Sequence, residues 1–123
     1  MIHNREQLAK TPSHAVALDC LTAGITAADP ARLTRDAVSV ADTTLTVGEA
    51  SYDLAGYDEV IALGGGKAAA VVAAALEAVL GDHLDSGIVV TDSPRSTEQV
   101  DVLAGTHPIP NERGVENTRR LLA

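Results

Sequence analysis

The chain has 123 residues and a net charge of −8, with ten Asp and seven Glu against seven Arg and two Lys. That length suits one small domain with a real core, and the acidic balance excludes nucleic-acid binding, which draws on Lys and Arg to neutralise phosphates. There is no Phe or Trp, only Tyr52 and Tyr57, and Cys20 is the sole cysteine, so Ala, Val and Leu must build the core and no internal disulfide or cysteine-rich metal site can form.

The first ten residues are polar and do not read as a signal peptide. From residue 11, TPSHAVALDCLTAGITAADP predicts a helix. Thr11 can cap it, Pro12 suits the first helical position, and Val16, Cys20, Ala23 and Ala27 fall on one face. Asp29-Pro30 closes this helix and can start a second, short one through Arg35. AVSVADTTLTVG then predicts a hairpin, two short strands around a turn at Asp42-Thr43. DEVIALGGG predicts a buried strand ending in glycine, and KAAAVVAAALEAVLG a helix of about four turns with Gly81 at its C-terminal cap. SGIVVTD is a second apolar strand, VDVLAGTHPIP a third that runs into a proline-stiffened loop, and NERGVENTRRLLA opens a last helix.

Continuous apolar strands in this order predict an α/β fold. The expected architecture is a Rossmann-like parallel sheet in three α/β/α layers with right-handed crossovers, preceded by a small N-terminal helix and the hairpin. The sheet is expected to be incomplete, because such sheets normally hold more than three core strands and nothing follows the last helix. Residues 1–123 are thus read as the N-terminal part of one longer domain. The longest apolar run, residues 68–76, is half of the roughly 18 residues a membrane span requires, so a soluble, cytoplasmic protein with no membrane partner is expected. Abundant Asp with scarce Lys resembles halophilic archaeal composition, in which a hydrated anionic surface stays soluble as salt screens charge.

The strand–Gly64-Gly65-Gly66–helix junction is a place to hold an anion. Glycines let a backbone approach a ligand closely, and the first amides of a helix point outward with the positive end of its dipole. Lys67 stands at that junction, where a cation opposes the dipole unless an anion compensates. A Walker A loop is excluded, since Ile61 occupies its first glycine position and Ala68 its hydroxyl position. Gly64-x-Gly66-x-x-Ala69 matches a dinucleotide fingerprint, with Asp92 after the next strand as a ribose-hydroxyl partner. A third reading has Lys67 contacting a small anionic substrate or a transferring phosphate. The plain alternative is a tight turn with a solvated lysine.

The loop GTHPIPNERG is the second polar constellation. His107, after a strand and before Pro108 and Pro110, can bind an anion or move a proton, or simply be a hydrogen-bonded loop residue. Asn111 suits an N-cap, with Glu112 and Glu116 early in the helix. Asp82, His83 and Asp85 cluster after the alanine helix, at the end away from the glycines, and read as a solvated turn rather than a metal site.

Taken together, VIALGGGKAAAVVAAALEAVLGDHLDSGIVVT and VDVLAGTHPIPNERGVENTRRLL resemble the N-terminal part of the glycerate 2-kinases, two-domain proteins with a C-terminal MOFRL domain, many of them labelled hydroxypyruvate reductase. YDLAGYDEV and the ADP that closes the first helix fit as well. The resemblance implies ATP-dependent phosphorylation of D-glycerate to 2-phosphoglycerate with Mg²⁺ or another divalent cation, in a cleft between a Rossmann-like domain and the second domain. It implies that Lys67 is catalytic, that Gly64, Gly65, Gly66 and His107 bind substrate or phosphate, and that no metal ligand lies in this segment. Glycerate and the missing second domain are the implied partners, with homo-oligomers left open. The family usually has Asp where this chain has Asn111. Without a second domain, this segment alone is not expected to be a competent kinase. Two other readings stay open: an NAD(P)-dependent hydroxypyruvate reductase, and a non-catalytic α/β binding domain.

Overall fold

The computed structural model describes residues 2–123. Three helices come first: α1 (Arg5–Leu8), α2 (Pro12–Ala27) and α3 (Pro30–Ala37). Both expected caps form. The Thr11 hydroxyl accepts from the His14 N–H at 3.2 Å and an Asp29 oxygen from the Arg32 N–H at 2.8 Å. α1 is tied to α2 by the Arg5–Asp19 ion pair at 2.7 Å.

The face expected on α2 does not pack. No residue of this helix is buried, Cys20 is exposed, and Val16, Leu21 and Ile25 are 62%, 59% and 61% exposed. Its apolar residues are spread around the helix rather than gathered into a stripe, and its main neighbour is the short α1.

An antiparallel sheet follows, β1 (Val38–Ala41), β2 (Thr44–Val47) and β3 (Ala50–Asp53), in that spatial order. The expected hairpin is its first two strands, paired from Val38↔Val47 to Ala41↔Thr44. Asp42 takes a positive φ of 51° in the turn, a conformation Asp tolerates. The third strand, ASYD, is short and wholly exposed, so no alternation announces it; pairing with β2 holds it in place.

The parallel sheet is built from β4 (Ile61–Gly65), β5 (Ser86–Thr91) and β6 (Val100–Ala104), in the order β4-β5-β6. α4 (Ala69–Leu80) connects the first two strands, and α5 (Glu112–Leu121) follows the third. The strand register puts Ala62, Gly64, Val89, Val100 and Val102 on the face toward α4. There Ala73, Leu80, Leu84, Val89 and Val100 form the core. The opposite side of α4 packs on α3 and β1, with Val40 and Leu45 reaching the same core. α4 is covered over most of its surface, which accounts for its run of Ala and Val. Gly87 permits the close strand approach, since a Cβ there would stand 2.5 Å from the Ala62 carbonyl oxygen.

The other sheet face is covered only in part. α5 packs on β5 and β6, while Ile61 and Leu63 of β4 remain 50% and 55% exposed. The three-layer arrangement is complete over β5 and β6 and open over β4.

Two polar clips align the strand starts. The Val60 N–H donates to Asp85 Oδ2 at 2.7 Å, and the Asp85 N–H donates to the Val60 carbonyl at 2.9 Å. From α4, the Glu77 carboxylate accepts from the N–H groups of Glu98, Gln99 and Val100, the latter two at 2.7 Å. Burial pushes the Glu77 pKa up, but these three backbone bonds outweigh it and leave the carboxyl below its ordinary value.

Candidate functional site

The site is built where the three parallel strands end. β4 runs through Gly64 and Gly65, so these two glycines are ladder residues rather than loop. The Gly66 N–H extends the ladder to the Val90 carbonyl at 2.9 Å. Gly66 then turns the chain with φ 130°, a conformation reserved for glycine. Its carbonyl accepts from the Ala69 N–H at 3.1 Å and starts α4.

α4 therefore begins two residues later than its sequence suggests, and Lys67 lies just outside its first turn. Ala68 takes the N-cap position and makes no side-chain cap, whereas Thr11, Asp29 and Asn111 cap α2, α3 and α5. The start of α4 is thus left with backbone donors and no side-chain acceptor. Lys67 is exposed. The ion pairs among the described residues are Arg5–Asp19 and Arg32–Asp36, so its charge is uncompensated.

The neighbouring strands bring up the rest. β5 ends at buried Thr91, followed by Asp92. After β6, the Gly105 N–H donates to the Thr91 carbonyl at 2.7 Å, and the Thr106 hydroxyl closes the HPIP loop by donating to the Ile109 carbonyl at 2.6 Å. α5 is held against this end of β6 because Asn117 Nδ2 donates to the Ala104 carbonyl at 2.7 Å. Gly105 lies tight against β5, where a Cβ would meet Val90 Cγ1 at 3.1 Å.

These ends enclose a cavity of about 230 Å³ lined by Gly65, Gly66, Lys67, Asp92, Thr106 and His107, among others. A larger apolar hollow of about 620 Å³ lies along β4 and the start of α4, and it shares Gly65, Gly66 and Lys67 with the first. Gly64 lines only this second hollow. The smaller cavity is the candidate site, because the polar groups of three strand ends converge there, at the carboxyl edge where open α/β sheets place their ligands.

Lys67, Gly65, Gly66 and His107, separated in sequence, are thus brought together. Asn111 is a helix cap, its Oδ1 accepting from the Gly114 N–H at 2.9 Å. Asp82, His83 and Asp85 lie at the opposite end of α4, where Asp85 serves as the strand clip. Among the described residues no three His, Cys, Asp or Glu side chains gather to hold a metal. Asp92, read from sequence only as a ribose partner, lines the same cavity as Lys67. The sequence signal was its place directly after a strand.

A parallel β–α–β unit with an uncapped helix start, an unpaired lysine and a histidine loop at its carboxyl edge defines an α/β domain with a polar cleft at that edge. Residues 16–123 match the family described as "Domain of unknown function (DUF4147)", and the chain belongs to that family. This domain is the N-terminal domain of the glycerate kinase family, in line with the resemblance carried by the GGGKAAA and HPIP motifs.

Over 101 residues the chain is 35% identical to a protein of Pyrococcus horikoshii named glycerate 2-kinase, an alignment covering 80% of this chain and 22% of that protein. A crystal structure of a protein from the same species superposes with a TM-score of 0.73 at 27% identity, covering 89% of this chain and 24% of the other. The chain thus spans less than a quarter of the length of either relative. No helix among the described residues is long and apolar enough to cross a membrane.

Proposed function

We propose that this chain forms the N-terminal part of an ATP-dependent glycerate 2-kinase, which phosphorylates D-glycerate to 2-phosphoglycerate. The observation that carries this reading is the convergence of Lys67 and the His107 loop on one cavity at the uncapped start of α4. In the reaction the C2 oxygen of glycerate bonds to the γ-phosphorus of ATP, the bond to ADP breaks, and the hydroxyl proton passes to a base. Phosphoryl transfer depends on positioning and on neutralising charge. Lys67 and the free amides of α4 hold the substrate carboxylate or the incoming phosphoryl oxygens, and His107 supplies a further donor at the rim. Gly65 and Gly66 keep the backbone open to the ligand.

The nucleotide site and the opposite wall of the cleft belong, in this proposal, to the second domain. Mg²⁺ or a similar cation is expected with the nucleotide. Among the described residues no three metal-ligating side chains gather, and no step is assigned to the ion.

One observation favours a second reading. Gly64, Gly66 and Ala69 lie on a β–α–β unit with Asp92 directly after its second strand, the placement a dinucleotide site uses. An NAD(P)-dependent hydroxypyruvate reductase would follow. Lys67 weighs against it, since pyrophosphate binding at such loops relies on backbone amides. An assay of the protein expressed from its full reading frame separates the two. Glycerate-dependent ADP release without NAD(P)H oxidation supports the kinase, and hydroxypyruvate-dependent NAD(P)H oxidation without ADP release overturns it.

A further inference from the structure

The cavity holds a feature that neither the lysine nor the glycine turn accounts for. Asp92 lines it together with Lys67 and His107. Its Oδ1 is buried and accepts no hydrogen bond, the one buried side-chain oxygen or nitrogen in that condition among the described residues. An ionised carboxylate can only accept, and a buried acceptor left without a donor is costly enough that folds rarely keep one. The Thr106 hydroxyl is committed to the Ile109 carbonyl, and Lys67, itself without an ion pair, makes none with Asp92 although both line the same small space. The protein keeps a cation and a carboxylate in one cavity without joining them.

We propose that Asp92 is a substrate-binding residue whose carboxylate accepts a hydrogen bond from the hydroxyl of the hydroxy acid. This rests on the kinase reading of the cavity and deepens it. The anionic end of the ligand goes to Lys67 and the amides of α4, because Asp92 repels it. The hydroxyl end goes to Asp92, because a hydroxyl is the group on such a molecule able to donate to it. Asp92 thus fixes which way round the acid binds and distinguishes hydroxy acids from acids without the hydroxyl. A site built to hydrogen-bond a hydroxyl rejects the analogue that lacks it strongly, since its own polar group is then left unpaired.

Titration calorimetry on the protein expressed from its full reading frame tests this with D-glycerate and propionate as probes, propionate having the carboxylate but no hydroxyl. The wild type is expected to bind D-glycerate at least about tenfold more tightly than propionate. Lys67→Ala weakens both. Asp92→Ala weakens D-glycerate by about tenfold or more and leaves propionate bound as tightly as before or more tightly, while Asp92→Asn, which keeps an acceptor, loses less. Without ligand, Asp92→Ala melts at the same temperature as the wild type or higher, because the unpartnered carboxylate oxygen is gone. An Asp92→Ala variant that keeps wild-type affinity for D-glycerate, loses both acids equally, or melts lower without ligand overturns the role of Asp92 while leaving the Lys67 reading in place. A wild type that binds neither acid, or that binds NADH in an Asp92-dependent way, overturns the kinase reading and the hydroxy-acid assignment with it.

Discussion

Gly65 and Gly66 are adjacent, but different physics keeps each of them. Gly66 sits at φ 130°, so Gly66→Ala should cost about 1–3 kcal/mol of stability through backbone strain. Gly65 is an ordinary strand residue, and a Cβ there would meet only the Val90 carbonyl at 3.8 Å. Its fold does not require glycine, yet it lines both hollows. Gly65→Ala should therefore leave the melting temperature unchanged or slightly raised, since Gly costs a strand about 0.5–1 kcal/mol, while raising KM for the substrate; melts and steady-state kinetics on one preparation check both halves. Glu77 offers a test of pH dependence. Its folded pKa is lowered by three backbone N–H groups that outweigh burial, so its contribution is fully present above the unfolded-state carboxylate value of about 4.3 and is lost as pH falls through the lower folded value. Glu77→Gln should cost about 1–2 kcal/mol at neutral pH, and denaturant melts should show that difference closing in acid.

At the scale of elements, what the sequence made legible was what local chemistry decides. The caps at Thr11, Asp29 and Asn111 and the stop at Gly81 all form, because each is a contact within a few residues. Asn111 takes a place where the glycerate 2-kinases usually carry Asp, and its visible work is to accept from the Gly114 N–H. Asn111→Asp should then melt within a few tenths of a kcal/mol of the wild type, whereas Asn111→Ala should lose about 1 kcal/mol; thermal denaturation of the pair separates capping from any role for charge. What was not legible depended on partners distant in sequence. β3 exists through its pairing with β2, and its sequence has no period to reveal it. α2 looked like a packed helix because its residues are apolar, but periodicity cannot supply the neighbour that α2 lacks. The late start of α4 follows from the turn at Gly66, which takes Lys67 and Ala68 out of the helix.

On the scale of the whole molecule, the fold serves to bring three strand ends to one edge. The sheet was legible from its apolar runs and glycine punctuation. So were Lys67 and His107, one beside a glycine turn and the other inside a proline loop. The unpartnered oxygen of Asp92 was not, since burial is a property of the assembled sheet and no residue pattern encodes it. Ile61 and Leu63 leave one sheet face open over β4, and Val16, Leu21 and Ile25 remain exposed on α2, in a chain covering 22% of its kinase relative. The cavity at the carboxyl edge is proposed to bind an anionic substrate for phosphoryl transfer through Lys67. The most direct test of this is the turnover of D-glycerate and ATP by the protein expressed from its full reading frame, wild type against Lys67→Ala. The expected result is formation of ADP and 2-phosphoglycerate, with kcat/KM about 100-fold lower in the variant and an unchanged melting temperature. Equal turnover in the two proteins would contradict it.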